Sequence, residues 1–251
     1  MLLTGTEIIV AGLIAVFVAY VFGFRFAAKD SLSSIGFVFV LACIIIIPGS
    51  IFLPLRDKWL IDTLMTVCFL LFIFVLVFFR NPERKIDANP RNVLSPADGK
   101  VVEVKDSVTS KFLPGKFKQV SIFMNLHNVH IQRMPLAGEI LSIEHVRGRF
   151  LPAFNQKSGK ENDQKVYVIR GNDFDFIVKQ IAGVLVQKTI SWIKPGDKLK
   201  QGERFGMIRF SSRVEIFLPR NVEIDVAPGS IVRAGLDVIG FLGKEEIKKK
   251  K

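Results

Sequence analysis

A mainly β (α+β) domain of sandwich-hybrid character, preceded by N-terminal transmembrane helices, is the fold that the sequence predicts. Three observations predict it. Uncharged apolar runs crowd the first third of the 251 residues. From about residue 92 the texture changes to short alternating stretches broken by glycine and proline. Two related phrases of paired turns and short strands then recur near the C-terminus.

The apolar runs are residues 8–24, 31–55 and 63–79, none of which carries a charge. A hydrocarbon core about 30 Å thick takes roughly 20 apolar residues as a helix, with about 17 as the short limit. Three membrane helices are therefore expected, at about 8–24, 33–53 and 61–79, within an anchor of residues 1–85. Glu7 precedes the first run and no small-residue cleavage site follows it, which argues against a removed signal peptide. Arg80, Arg84, Lys85 and Arg91 follow the third run, and by the positive-inside rule they put residues 86–251 on the cytoplasmic side of a cell membrane. The formal net charge of +12 includes the run Lys248 to Lys251. Beside a bilayer such an excess attracts anionic lipid. No basic motif interleaved with aromatics and no finger spacing supports a nucleic-acid partner. Cys43 and Cys68 both lie inside apolar runs, so neither a disulfide framework nor a cysteine metal cluster is expected.

In the second part, KVVEVKDSV (100–108), FKQVSIFMNL (117–126), QKVYVIR (164–170), DFDFIVKQIAG (173–183), GMIRFSSRVEIFLP (206–219) and VEIDV (222–226) read as strands with turn punctuation. VLVQKTISWI (184–193) is a candidate short helix, although its β-branched content keeps a strand open. The phrases IKPGDKLKQGERFGMI (193–208) and VAPGSIVRAGLDVIG (226–240) each reverse the chain twice between short strands. Hammerhead or sandwich-hybrid β domains use such turns, and parallel strands with crossover helices do not need them.

Residues able to do chemistry are few. The three histidines, His127, His130 and His145, fall within nineteen positions, the first two directly after an apolar strand. With Asp98 or Glu144 they could in principle hold a metal, but no HExxH-type signature is present, and general acid–base work near neutrality suits them better. Asp98 lies in the turn-rich LSPADGKV; it is either a turn residue or the acid that orients a histidine. Ser211 and Ser212 interrupt an otherwise apolar strand. They are either tolerated strand residues or the site of a nucleophile, and the carbonyl attacked need not be external.

Taken together, FFRNPERK (78–85), SPADGKV (95–101), NLHNVHIQRMPLAG (125–138), GRFLPAFNQKSGKEND (148–163), IAG (181–183), KPGDKLKQGERFGMIRFSSRVEIFLP (194–219) and VRAG (232–235) make this sequence resemble the phosphatidylserine decarboxylase family, in its short bacterial and archaeal form. The order and spacing of these pieces carry the resemblance across about two-thirds of the chain. It implies a proenzyme that cuts itself at a Gly-Ser step and keeps a pyruvoyl group on the new terminus. It also implies decarboxylation of phosphatidylserine, or archaetidylserine, through a Schiff base to that group, with no metal and with a homodimer as the assembly.

Placed on this chain, the resemblance makes Ser212 the nucleophile and pyruvoyl precursor, with a β chain ending at 211 and an α chain of 212–251. It makes Asp98 the triad aspartate and His130 the favoured base, with His127 second. The cleavage step is Ser211–Ser212, so serine stands where the family has glycine. Glycine reaches backbone conformations that serine does not. A chain that processes itself despite Ser211 and a processing-deficient relative that only binds lipid in the membrane are both readings of that departure. Arg147, Arg149 and Lys157 flank FLPAF and are read either as a lipid-phosphate site or as a solvated basic face. Phe150 and Phe154 are read as an apolar edge that dips toward the bilayer.

Overall fold

The computed structural model describes residues 77–152, 158–183, 189–208 and 212–243, together with positions 59, 63, 66, 67, 70, 73 and 74. The first two apolar runs lie outside the described residues, as do Phe154, Lys157, Ser211 and the lysines of the C-terminus. Two compact units divide the chain, Met1–Pro82 and Glu83–Lys251. In the first unit the described positions from Trp59 to Phe78 are helical, and Trp59, Leu70 and Val77 are exposed. Among the described residues no helix is long and apolar enough to cross a membrane.

Among its described residues the second unit has fourteen strands. They begin with β1 (Asn92–Leu94), β2 (Gly99–Thr109), β3 (Lys116–Met124), β4 (Ile131–Arg133) and β5 (Gly138–Val146). A short helix, Ser158–Glu161, precedes β6 (Gln164–Gly171), β7 (Asp175–Ile181), β8 (Thr189–Ser191), β9 (Lys198–Leu199) and β10 (Arg204–Ile208). The last four are β11 (Ser212–Pro219), β12 (Val222–Ile224), β13 (Ile231–Val232) and β14 (Val238–Leu242). Of the candidate helix over 184–193, residues 184–188 lie outside the described residues, and Thr189–Ser191 form strand β8, the alternative that the β-branched content left open. Thr189 and Ile190, β-branched and suited to a pleated surface, pair with Ile208 and Met207.

An eight-stranded sheet runs β13-β2-β3-β11-β7-β6-β5-β9, and two three-stranded sheets run β4-β10-β8 and β1-β14-β12. Every named strand pair is antiparallel. Alternation along β11 sets the layers. Val214, Ile216 and Leu218 enter the main core with Val120, Ile122, Met124, Val178 and Tyr167. Phe217, on the other face, joins a smaller cluster with Phe117, Val166 and Ile177. The sheet of β4, β10 and β8 packs on the main-core side, where Phe205 of β10 meets Tyr167 of β6 edge-on, ring centroids 5.1 Å apart.

Close backbone approach explains two glycines. At Gly99, where φ is +154°, a Cβ would overlap the Phe123 carbonyl oxygen of the neighbouring strand. At Gly206 it would sit 2.5 Å from the Ile190 carbonyl oxygen and 2.7 Å from Gln180 Nε2. The unit begins before Arg84 for a physical reason: Ile86 packs against Gly202 and Gly235, and Arg84 is tied into the domain at Asp98.

Candidate active site

Ser212 is the first residue of β11, the strand at the middle of the large sheet. It pairs with Met124 of β3, and the next residue, Arg213, pairs with both Phe123 and Ile181. β10 belongs to the small sheet and β11 to the large one, so the chain passes from one sheet to the other between Ile208 and Ser212. Among the described residues the β10 ladder runs to Ile208 and the β11 ladder runs from Ser212, on opposite sides of the Ser211–Ser212 step. Ser212 is fully buried, and its Oγ donates to Met124 Sδ at 3.5 Å.

The two neighbouring histidines part company. Asn125, Leu126, His127 and Asn128 form a turn in which Asn128 N donates to Asn125 O at 3.0 Å and Asn125 N donates back to Asn128 Oδ1 at 2.8 Å. His127 rides on the exposed tip of that turn. His130, just before β4, is fully buried. Its Nδ1 lies 2.9 Å from Asn128 O. A carbonyl only accepts, so this contact places the proton on Nδ1 and leaves Nε2 as the acceptor of the neutral ring. The His130 carbonyl takes hydrogen bonds from Ile208 N at 3.2 Å and Gln132 Nε2 at 3.0 Å. The first of these ties His130 to the last residue of the strand that leads into the cleavage step.

Asp98 is placed differently from the triad expectation. Its carboxylate receives Arg84 Nη1 at 2.7 Å, Arg84 Nη2 at 2.8 Å and Ala234 N at 2.8 Å. Arg84 also donates to Ala234 O at 2.6 Å. Among the described residues no hydrogen bond joins Asp98 to a histidine. The fork of a guanidinium matches both oxygens of a carboxylate. Arg84, read in the sequence only as part of a basic flank, is thereby buried, with 7% of its side chain exposed.

His145 makes its own pair, Nε2 lying 2.9 Å from both Asp163 oxygens. Arg147 and Arg149 are exposed, and Arg149 meets Glu161 at 3.5 Å. Phe150 is half-buried. The three histidines do not converge, and among the described residues no three His, Cys, Asp or Glu side chains gather as a metal site would require. A cavity of about 470 Å³ opens beside Leu136, Gly171, Phe174 and Lys198. It lies at the far end of β6 from Gln164, the residue that reaches the Ser212 end through Ile181, and none of the residues read as catalytic lines it.

Sequence reasoning passed over several buried polar groups around Ser212. Arg213 Nη2 meets Glu103 Oε2 at 2.9 Å and Ser121 Oγ at 2.8 Å, and its Nε lies 2.9 Å from Glu215 Oε1. Burial pushes the Glu215 carboxyl up, against the pull of Arg213 and Lys179. On the other face of β11, Tyr167, Gln180 and Gln132 form a hydrogen-bonded series. The available signal was polar residues at core positions of otherwise apolar strands, such as the glutamine in VKQIAG.

Fold and site define a three-sheet β protein in which the chain passes from a small sheet to the large one just ahead of a buried serine, with a buried, carbonyl-oriented histidine bonded to the strand before that passage. Residues 71–240 match the family model described as phosphatidylserine decarboxylase. The phosphatidylserine decarboxylase proenzyme of Syntrophus aciditrophicus is 40% identical over 169 residues, covering 67% of this chain and 79% of that protein. The protein of the same description from Carboxydothermus hydrogenoformans is 40% identical over 173 residues, 68% of this chain and 81% of its own. That from Cytophaga hutchinsonii is 36% identical over 178 residues, covering 70% and 81%. The chain belongs to the phosphatidylserine decarboxylase family.

Proposed function

We propose that this protein is a membrane-bound proenzyme that cuts itself before Ser212, converts that residue to a pyruvoyl group, and decarboxylates a serine-headgroup phospholipid, phosphatidylserine or archaetidylserine, to the ethanolamine lipid. One observation carries the reading: a buried serine heads the central strand at the point where the chain changes sheets, and His130 is bonded to the strand on the other side of that point.

In the first step His130 Nε2 takes the Ser212 hydroxyl proton, and Oγ attacks the Ser211 carbonyl carbon. The peptide C–N bond breaks as the C–O bond forms, giving an ester and a free amine on residue 212. Loss of the Ser212 α proton and departure of the 1–211 carboxylate leave dehydroalanine. Its imine tautomer takes up water and releases ammonia. The site suits the resulting group, because residue 212 stays held after the cut. β11 remains laddered to β3 and β7, β13 to β2, and β14 to β1, while Arg213 of the 212–251 chain keeps Glu103 and Ser121 of the other. A pyruvoyl carbonyl supplies the electron sink for the pair released as carbon dioxide leaves. His127, exposed on its turn after β3, is assigned to proton delivery to substrate, and the buried His130 to self-processing. Arg147 and Arg149 are assigned to the lipid phosphate.

Intact mass measurement on the protein purified in mild detergent, together with carbon dioxide release from serine-headgroup lipid, tests the reading. The expected result is two chains parted after residue 211, the smaller lighter than its serine form by one ammonia. A single uncut chain with no carbon dioxide release refutes it. Resistance to alkaline extraction from membranes tests the anchor, and protection of the catalytic unit from protease outside intact cells tests its cytoplasmic side.

A further inference from the structure

A fully buried series of polar side chains links the face of β6 to the site. Tyr167 Oη donates to Gln180 Oε1 at 2.8 Å, and Gln180 Nε2 donates to Gln132 Oε1 at 2.8 Å. Gln132 Nε2 then reaches the His130 carbonyl at 3.0 Å and Met124 Sδ at 3.6 Å, the sulfur that also takes the Ser212 hydroxyl. Tyr167, Gln180, Gln132, His130, Met124 and Ser212 are all sealed from solvent.

The direction of the series is set from one end. A carbonyl accepts only, so Gln132 must present its amide nitrogen to His130 and its oxygen to Gln180. Gln180 must then present nitrogen to Gln132 and oxygen to Tyr167, whose hydroxyl must donate. Burial holds the Tyr167 phenol well above its ordinary range, so it keeps that proton at every working pH. Gly206 of β10 leaves the room that Gln180 fills, since a Cβ there would press on Gln180 Nε2.

Such a series is an expensive way to fill a core that apolar residues of like volume would fill at lower cost. What it adds is a fixed position for the His130 backbone and for the sulfur beneath Ser212. We propose that Gln180 is a positioning residue: with Tyr167 and Gln132 it sets the placement of His130 and Ser212 that self-processing requires. The consequence for processing rests on the proposed function; the effect on His130 does not.

The test compares Gln180→Leu and Gln180→Glu in the full chain and in the same chain carrying Ser211→Gly. A buried glutamic acid stays protonated and restores one donor and one acceptor, whereas leucine restores neither. Cleavage is followed by intact mass after cell-free synthesis into lipid. Proton exchange at His130 Nδ1 is followed by NMR on 15N-histidine-labelled protein, which has three histidines in all. Gln180→Leu is expected to slow cleavage at least about tenfold and to speed His130 Nδ1–H exchange, with Gln180→Glu close to the parent in both. Tyr167→Phe, which removes one donor, is read in the same way if the leucine variant does not fold.

Parental cleavage and unchanged His130 exchange in Gln180→Leu overturn the proposal. So does a glutamate variant as impaired as leucine with the same loss of melting temperature, because the role is then packing alone. If neither parent chain is cut, the self-processing reading fails. The exchange measurement then decides: fast exchange with leucine and slow exchange with glutamate uphold the positioning role, and no difference overturns it.

Discussion

Replacing Asp98 with asparagine separates two roles that the sequence leaves open. Three donors converge on the Asp98 carboxylate, two from Arg84 and one from Ala234 N. Asparagine keeps one accepting oxygen, for Arg84 Nη1 and Ala234 N, but turns an NH2 group toward Arg84 Nη2. It also removes the countercharge of a guanidinium that is 7% exposed. Breaking a buried pair from one side costs about 3 to 5 kcal/mol, because the remaining charge is left uncompensated. At about 2 to 4 °C per kcal/mol for a domain of this size, Tm should fall by about 6 to 20 °C. Adding Arg84→Met to Asp98→Asn should cost little more, since it removes the stranded charge. The assay is thermal melting of the full chain in detergent with cleavage followed on the same samples. A melting temperature within about 1 °C of the parent, together with lost cleavage, would refute the clasp and return Asp98 to the orientation of a histidine.

Three further outcomes are expected. Ser211→Gly should process at least as fast as the parent, and Ser212→Ala should not process at all, both read by intact mass; a faster Ser211 parent would show that glycine is not needed at the scissile residue. Although burial alone raises the Glu103 carboxyl, Lys105 and Arg213 hold it below its ordinary value of 4.5. The stability this gives is present above that value and is lost as pH falls through the lower folded one. The deficit of Glu103→Gln against the parent should therefore shrink between about pH 6 and about pH 3, and an equal deficit at both ends of that range speaks against the ion pair. Gly99→Ala drives a methyl into the Phe123 carbonyl and should cost about 3 kcal/mol in chemical denaturation; a loss under about 1 kcal/mol would mean that β2 and β3 can part at little cost.

Much of the protein was legible in its residues. Period-two alternation locates β2, β3, β6, β7 and β11 because each lays one face on the main core, and that burial is written one residue at a time. Turn chemistry did the same for the paired reversals before β10 and β14. The motifs that brought Asp98, His130 and Ser212 into view are likewise local phrases. Tertiary structure alone decided what those residues touch. That His127 is exposed while His130 is sealed depends on a turn closed by Asn125 and Asn128, a matter of one reversal that spacing does not show. That Asp98 meets Arg84 depends on residues before β1 packing against Gly202 and Gly235, more than a hundred positions away. The polar series through Gln180 joins β6 and β7 to β4, which lies in a different sheet, and no local phrase of sequence contains it. Composition and periodicity state which face of a strand is buried; partners across sheets follow only once the chain has crossed from one sheet to the other, which here happens at the residue expected to carry the chemistry.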